Sequence, residues 1–186
     1  MMEDKQRLDK TAWINAGFRA LCVNGPAALK AEPLARELGV SKGSFYWHFA
    51  NLAAFREAMI EHWVAVATRG IIELVEAHSK NPDERLRYLV HLSTEPPPEA
   101  VGGRGAEGAI RCWGRADLVV AEQLRAVDAA RLDFCSEQFL QLNFSAADAR
   151  LRGRLLYASL IGLEDLDQSG LAVLRDDLQA SLGVLL

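Results

Sequence analysis

At 186 residues, half of them apolar, the chain can bury a sizeable core as one large domain or two small ones. Its three cysteines, Cys22, Cys112 and Cys135, are odd in number and far apart with no CxxC pair, which argues against a disulfide framework and a thiolate metal site and suits a reducing cytoplasm. The net charge of -4 does not suggest a nucleic-acid binder, yet it is unevenly spread: residues 1–60 carry eight cations against six acids, and the remainder is correspondingly more acidic.

The charged opening MMEDKQRLDK does not read as a cleaved signal, and apolar stretches such as Leu155 to Leu163 fall well short of the ~20 residues a membrane span needs, so no membrane partner is expected. Nearly every apolar segment repeats with a helical period and none alternates like a strand; the fold class is all-α, with about nine helices. A first helix is expected from about Gln6 to Val23, with Ile14, Phe18 and Leu21 on one stripe, ending at the left-handed cap and breaker Asn24-Gly25-Pro26. A short helix over about Lys30 to Leu38 tolerates Pro33 in its first turn, and Gly39 ends it. Val40 then turns inward, and the Ser41 hydroxyl is placed to cap a third short helix, Lys42 to His48. Two short helices around a tight glycine turn make a helix-turn-helix.

From about Leu52 to Ser79 one long pattern, Phe55, Met59, Trp63, Val66, Ile71 and Leu74, drifts around a face until Asn81-Pro82 breaks it. A helix over Asp83 to about Ser93 leads into Glu95 to Gly105, rich in proline and glycine, which reads as a mobile loop gating a cavity or as a plain spacer. Helices follow over about Glu107 to Arg115, over about Asp117 to Leu142 with Val120, Leu124, Val127 and Phe134 inward, and from a Ser145 cap to about Leu166. Ser169-Gly170 turns into a last helix, whose Leu171, Leu174, Leu178, Leu182 and Leu185 form a narrow seam suited to docking on another helix.

The chemistry is concentrated in LGVSKGSFYWHF, Leu38 to Phe49. At about 100° per residue, Lys42, Gly43, Tyr46 and Trp47 share one side of the third helix, and Ser44, Phe45, His48 and Phe49 the other. Burying Phe45 and Phe49 leaves two aromatic rings exposed beside a cation, and Gly43 lets a backbone or base edge approach closely. A major groove wants this mixture of charge, hydroxyl donors and flat apolar surface. A protein-binding patch on Tyr46 and Trp47 remains the alternative. His48 reads as a phosphate donor or turn residue rather than a metal ligand.

Gly25, Leu34-Ala35, Gly39-Val40-Ser41, Gly43-Ser44 and Tyr46-Trp47-His48-Phe49 together resemble the DNA-binding domain of the TetR family of regulators, over about the first third of the chain. The resemblance implies a homodimer whose recognition helices, ~34–36 Å apart, enter successive major grooves of a pseudo-palindromic double-stranded operator. It places Ser41, Lys42, Gly43, Ser44, Tyr46, Trp47 and His48 at contacts to bases or phosphates, with Lys30 as a further phosphate contact. Two positions depart from the family pattern: Lys30 stands where a capping Ser or Thr is usual, and Leu52 where a phosphate-anchoring lysine is usual. Lys30, Arg19 or the arm residues Lys5 and Arg7 are the available replacements.

The resemblance also implies a division into a DNA-binding domain, residues 1–51, and an effector-binding and dimerisation domain, residues 52–186, with repression relieved by a small molecule. Trp63, Tyr88, Arg111, Trp113 and Phe134 are the candidates to line its cavity, although aromatic residues at helical spacing also read as core. Leu160, Leu171, Leu174, Leu178 and Leu182 are the candidates for the dimer interface, where Ala158, Ser159 and Gly162 permit close approach; an intramolecular core helix is the other reading of that seam. No catalytic residue, metal site or cofactor is expected: His62, His78 and His91 lack HExxH or facial-triad spacing, and there is no GxSxG elbow.

Overall fold

The computed structural model describes residues 8–95, 103, 105–166 and 171–186; of Leu171 only the backbone is described. Within them all regular structure is helical, and no helix is long and apolar enough to cross a membrane. The elements are α1 (Lys10–Asn24), a 3₁₀ turn (Pro26–Ala28), α2 (Ala31–Glu37), α3 (Lys42–His48), α4 (Leu52–Val64), a π-helical turn (Ala65–Gly70), α5 (Ile71–His78), α6 (Pro82–Ser93), α7 (Ala106–Gly114), α8 (Leu118–Gln141), α9 (Ala146–Leu166) and α10 (Leu171–Leu185). Since α4, the π turn and α5 run on without a break, the described residues form nine rods besides the 3₁₀ turn. Much of the expected Glu95 to Gly105 loop lies outside the described residues, as do Lys5, Arg7 and the Ser169-Gly170 turn.

Short polar side chains start most of the rods by accepting otherwise unpartnered backbone N–H groups. Asp9 accepts from Ala12 at 2.8 Å, Asn51 from Ala54 at 2.9 Å, Asn81 from Asp83 at 2.9 Å and Asp117 from Val119 at 3.0 Å. Ser145 accepts from the Asp148 N–H and donates to its carboxylate, a reciprocal cap. Ser41 departs from expectation: its hydroxyl makes no capping bond, and the first turn of α3 closes through the Ser41 carbonyl, which accepts from Ser44 N–H at 3.0 Å. Gly39, at φ 68°, makes the turn between α2 and α3 in the left-handed region.

The π turn accounts for another difference. It carries one more residue than an α turn, so the inward face shifts by one position beyond it. Leu74, expected inside, is 52% exposed, and Val75 is fully buried in its place.

Two apolar clusters hold the molecule. The first joins Trp13, Phe18, Phe45, Phe55 and Met59 under the N-terminal helices to Ile110, Trp113, Val120 and Leu124 of α7 and α8. The second joins Leu86 and Val90 of α6, Phe139 of α8 and Leu156 of α9 to Leu178 and Leu182 of α10. Close approach depends on three glycines: a Cβ on Gly17 would lie 2.6 Å from Phe55 and Met59 side-chain atoms, one on Gly114 2.4 Å from a Leu124 methyl, and one on Gly153 2.7 Å from the Ser136 backbone nitrogen.

From Leu174 onward the α10 seam therefore faces the chain's own interior; the expected Leu171 side chain lies outside the described residues. Leu174, Leu178 and Leu182 are each buried within the protomer, which removes them from any surface a second copy could meet. The reason is simple packing: α10 lies against α6 and α9, and its one apolar stripe is used there. Leu160 is half-buried against the same cluster.

Candidate nucleic-acid interface and effector cavity

The short helix α3 is held by its inner rings. Phe45 is fully buried and meets Trp13, Phe49 and Phe55 at centroid separations of 5.3, 5.2 and 5.3 Å, two of the three edge-on. Edge-to-face stacks of this kind add to the stabilisation from burial itself. With Phe45 and Phe49 inward, the rest of the helix is turned out: Trp47 is 85% and Tyr46 52% exposed, Lys42 and Gly43 are exposed, and Ser44 and His48 are half-buried at the edges. Lys30 is exposed at the start of α2, where it makes no side-chain cap. Arg19 is taken up differently, pairing with Glu37 at 2.7 Å and so tying α1 to α2. Leu52 packs against the first cluster.

The second site is a partly open cavity of about 210 Å³ lined by the end of α4, the π turn and α5 to α10. Its wall is mostly apolar, from Trp63, Ile71, Leu89, Phe134, Leu156 and Ile161, with a polar strip at Thr68, Glu107, Arg131 and Tyr157. Arg131 sits at the junction. Its guanidinium donates to both Glu107 carboxylate oxygens at 3.1 Å, to the Tyr157 hydroxyl at 3.1 Å, to Thr68 Oγ1 at 3.2 Å and to the Ala67 carbonyl at 3.1 Å, and it lies 5.3 Å from the Trp63 ring centroid.

Behind the wall, Arg111 pairs with Glu107 at 2.8 Å and Asp128 at 2.7 Å, and Tyr157 donates to Asp128 at 2.7 Å. Burial penalises each of these charges, but the network outweighs it. Desolvation would raise the Asp128 carboxyl, yet hydrogen bonds from Arg111 and Tyr157 hold it below the usual carboxylate range, and the paired arginines are held above theirs. Desolvation pushes the Tyr157 hydroxyl up to about 12 and the Cys135 thiol on the cavity wall also to about 12. Both are neutral under physiological conditions.

Residues 14–59 match the model of the bacterial regulatory proteins of the tetR family, a span that holds the helix-turn-helix and the start of α4. Over these residues the chain is similar to the TetR family. No curated protein matches the sequence. Solved structures share the whole TetR fold. A TetR-family transcriptional regulator from Streptomyces coelicolor is 16% identical over 95% of this chain and 89% of its own, at TM-score 0.75. A transcriptional regulator from Rhodococcus sp. is 16% identical over 96% of each chain, at 0.71. A protein from Saccharomonospora viridis, described as a transcriptional regulator and solved in complex with choline, is 15% identical over 94% of this chain and 95% of its own, at 0.78.

Within this TetR fold the expected cavity residues divide. Trp63 and Phe134 line the cavity, and Leu160 and Leu178, expected at a dimer interface, line it too. Tyr88 does not: it stacks on His78 at 3.8 Å, away from the wall. Trp113 is buried in the first cluster, with its indole N–H donating to Asp117 at 3.3 Å. Arg111 stands one layer back, behind Glu107. Sequence reasoning missed Arg131, Glu107 and Tyr157; the available signal was a lone cation, Arg131, one helical turn before the inward Cys135.

Proposed function

We propose that this chain is a transcriptional repressor that binds a pseudo-palindromic DNA operator as a homodimer and is released by a small-molecule effector held in the cavity. The observation that carries the reading is the outer face of α3, where Trp47 and Tyr46 stand in solvent beside Lys42 and Gly43. Exposing two large rings is unfavourable unless a partner covers them, and a cation between two aromatic hydrogen-bonding groups suits a groove edge. Ser41, Ser44 and His48 flank that face and Lys30 stands at the start of α2, as expected for phosphate contacts.

We assign DNA contact to residues 1–51 and sensing and dimerisation to residues 52–186, a functional division that the first apolar cluster runs across, from Trp13 to Val127. With the α10 seam buried, the dimer face moves to the opposite side of α9 and α10. There Leu151, Leu155 and Leu166 are 55, 45 and 82% exposed, Val184 is 84% exposed, and a Cβ at Gly162 would meet nothing within 4 Å. Leu151, Leu155, Ala158, Gly162 and Leu166 recur at helical spacing, so one apolar stripe with small residues at its centre is available to a second copy.

Release requires an effector that binds the non-operator state more tightly than the operator state. Arg131 supports a route for that difference. It joins the cavity wall to the Ala67 carbonyl and the Thr68 hydroxyl of the π turn, in the same rod whose first residue, Leu52, follows α3. A ligand in a protein of this fold, choline in the Saccharomonospora viridis structure, supports reading the cavity as the effector site.

The test is binding of the full chain to DNA fragments flanking its own gene. Affinity is expected to fall steeply with salt, and Lys42→Ala or Tyr46→Ala to weaken binding by about tenfold or more without lowering the unfolding midpoint. Absence of binding at low ionic strength, or indifference to both substitutions, overturns the reading. A monomer by light scattering overturns the operator geometry.

A further inference from the structure

We infer that Lys10 is a contact to the phosphate backbone of DNA, held at the far end of α3 by the ring of Phe49. The inference rests on reading the outer face of α3 as the DNA-contacting surface. It starts from how α1 and α3 run past each other. Trp13 of α1 meets Phe45 of α3 edge-on at 5.3 Å. Lys10 lies three residues before Trp13 and Phe49 four residues after Phe45, so each stands one helical turn further along the same contact. There the Lys10 Nζ lies over the Phe49 ring, 5.5 Å from its centroid.

Phe49 is buried and Lys10 is exposed. An ammonium over a ring that is itself closed to water keeps its hydration while its position is set from beneath. The contact is weak, but it favours one placement of a long, flexible side chain. The chain leaving α3 supplies no charge of its own at this end. Phe49 to Leu52 contains no cation, the Asn51 side chain caps α4 by accepting from Ala54 N–H, and Leu52 packs against the first cluster.

Lys10 therefore answers Lys42 across the helix. Lys42 is the first residue of α3 and Phe49 the one that follows its last. At 1.5 Å per residue the two ends lie ~10 Å apart along the axis, on the scale of the ~12 Å width of a major groove. The exposed Tyr46 and Trp47 stand between them. A groove that takes these rings thus brings phosphates toward a cation at each end of the helix. Lysine is a point charge without the planar fork that reads a base edge, so the contribution of Lys10 is independent of sequence.

The test titrates the full chain onto two duplexes of one length, a fragment flanking its own gene and a random sequence, over a series of salt concentrations. Lys10→Ala is expected to weaken binding to both by the same factor, about three- to tenfold near ~0.1 M salt. The slope of log affinity against log salt is expected to fall in magnitude by about 0.9, the share of one phosphate. Lys10→Arg keeps the charge and is expected to keep affinity and slope. Tyr46→Ala is expected to reduce the preference between the duplexes, which Lys10→Ala leaves unchanged. Phe49→Leu removes the ring and keeps an apolar side chain, and is expected to cost less affinity in the Lys10→Ala background than in the parent. If Lys10 only props the end of α3, its loss lowers the urea midpoint and leaves the salt slope where it was. An unchanged slope, a loss confined to one duplex, or equal losses from Phe49→Leu in both backgrounds overturns the inference, while a loss on Lys42→Ala keeps the DNA-binding reading standing. No binding by the parent chain at low salt removes that reading and the inference with it.

Discussion

The recognition helix and the cavity wall use similar side chains in opposite arrangements. From Lys42 to Phe49, five aromatic or cationic groups are sorted by water: Phe45 and Phe49 go in, and Tyr46, Trp47 and Lys42 stay out. Neither inward side chain carries a charge, and Phe45 and Phe49 are held by neighbouring rings within the apolar cluster. Around the cavity the charges themselves go in. The Arg131 side chain is 15% exposed and that of Glu107 16%, and each is matched by partners on every side. The difference teaches what each kind of site demands. A surface site needs only that some residues be left out of the core. An interior polar site has to be closed, because each ion taken from water without partners costs several kcal/mol.

The largest contrast is between two neighbouring rings of the recognition segment. Phe45→Ala empties the centre of a four-ring cluster and is expected to cost about 3–5 kcal/mol. That is a large share of the ~5–15 kcal/mol that holds a typical domain. Trp47→Ala removes a ring that touches solvent, and its stability change is expected to stay within about 0.5 kcal/mol while operator affinity falls. Urea denaturation and DNA binding of the two variants check this together. Equal destabilisation would mean that Trp47 is part of the fold rather than a contact, and the sorting of α3 by water would fail.

A second prediction probes the closed network. Arg131→Met strips Glu107, Tyr157 and the π-turn carbonyl of a shared donor, and is expected to cost about 3 kcal/mol, the lower end for breaking a buried pair because some exposure remains. The double variant Arg131→Met with Glu107→Gln also removes the charge that has lost this partner and keeps only Arg111. It is expected to be less destabilised than the sum of the two single variants, which a double-mutant cycle measures. Additive losses would mean that the pair is not coupled, and the body would then be no different from the head.

Much of the head could be read in the sequence because its function lies in one contiguous stretch. A 3.6-residue period applied to Leu38 to Phe49 is enough to say which rings go in and which stay out. The cavity could not be read that way. Glu107, Asp128, Arg131 and Tyr157 come from three helices, and Glu107 with Arg111, four residues apart, looks like an ordinary solvated pair on one helix face. The leucine seam of α10 was visible, but its partner was not, since a chain's own core and a second copy ask for the same residues. Leu74 was misplaced for a local reason, the π turn, and Ser41 because a carbonyl did the work assigned to its hydroxyl.

The smallest expected effect is a pH dependence confined to the body, and it distinguishes a charged network from a merely crowded one. Asp128 is partly buried, which alone would raise its carboxyl; Arg111 at 2.7 and 3.3 Å and the Tyr157 hydroxyl at 2.7 Å instead hold it below the ordinary 3.8. In the interval beneath 3.8 the unfolded chain therefore binds the proton more readily than the folded one. The stability that the ionised carboxylate contributes is whole above that value, and it is lost as the pH falls through the lower folded value. Asp128→Asn keeps the shape and removes the charge. It is expected to be less stable than the parent at about pH 7, with the gap narrowing only once the pH drops below about 4. Trp47→Ala, outside the network, is expected to follow the parent in parallel over the whole range. Urea midpoints for the three proteins settle the matter: a gap that does not narrow in acid would mean that Asp128 is held by packing, and that the body, like the head, is stabilised by contact alone.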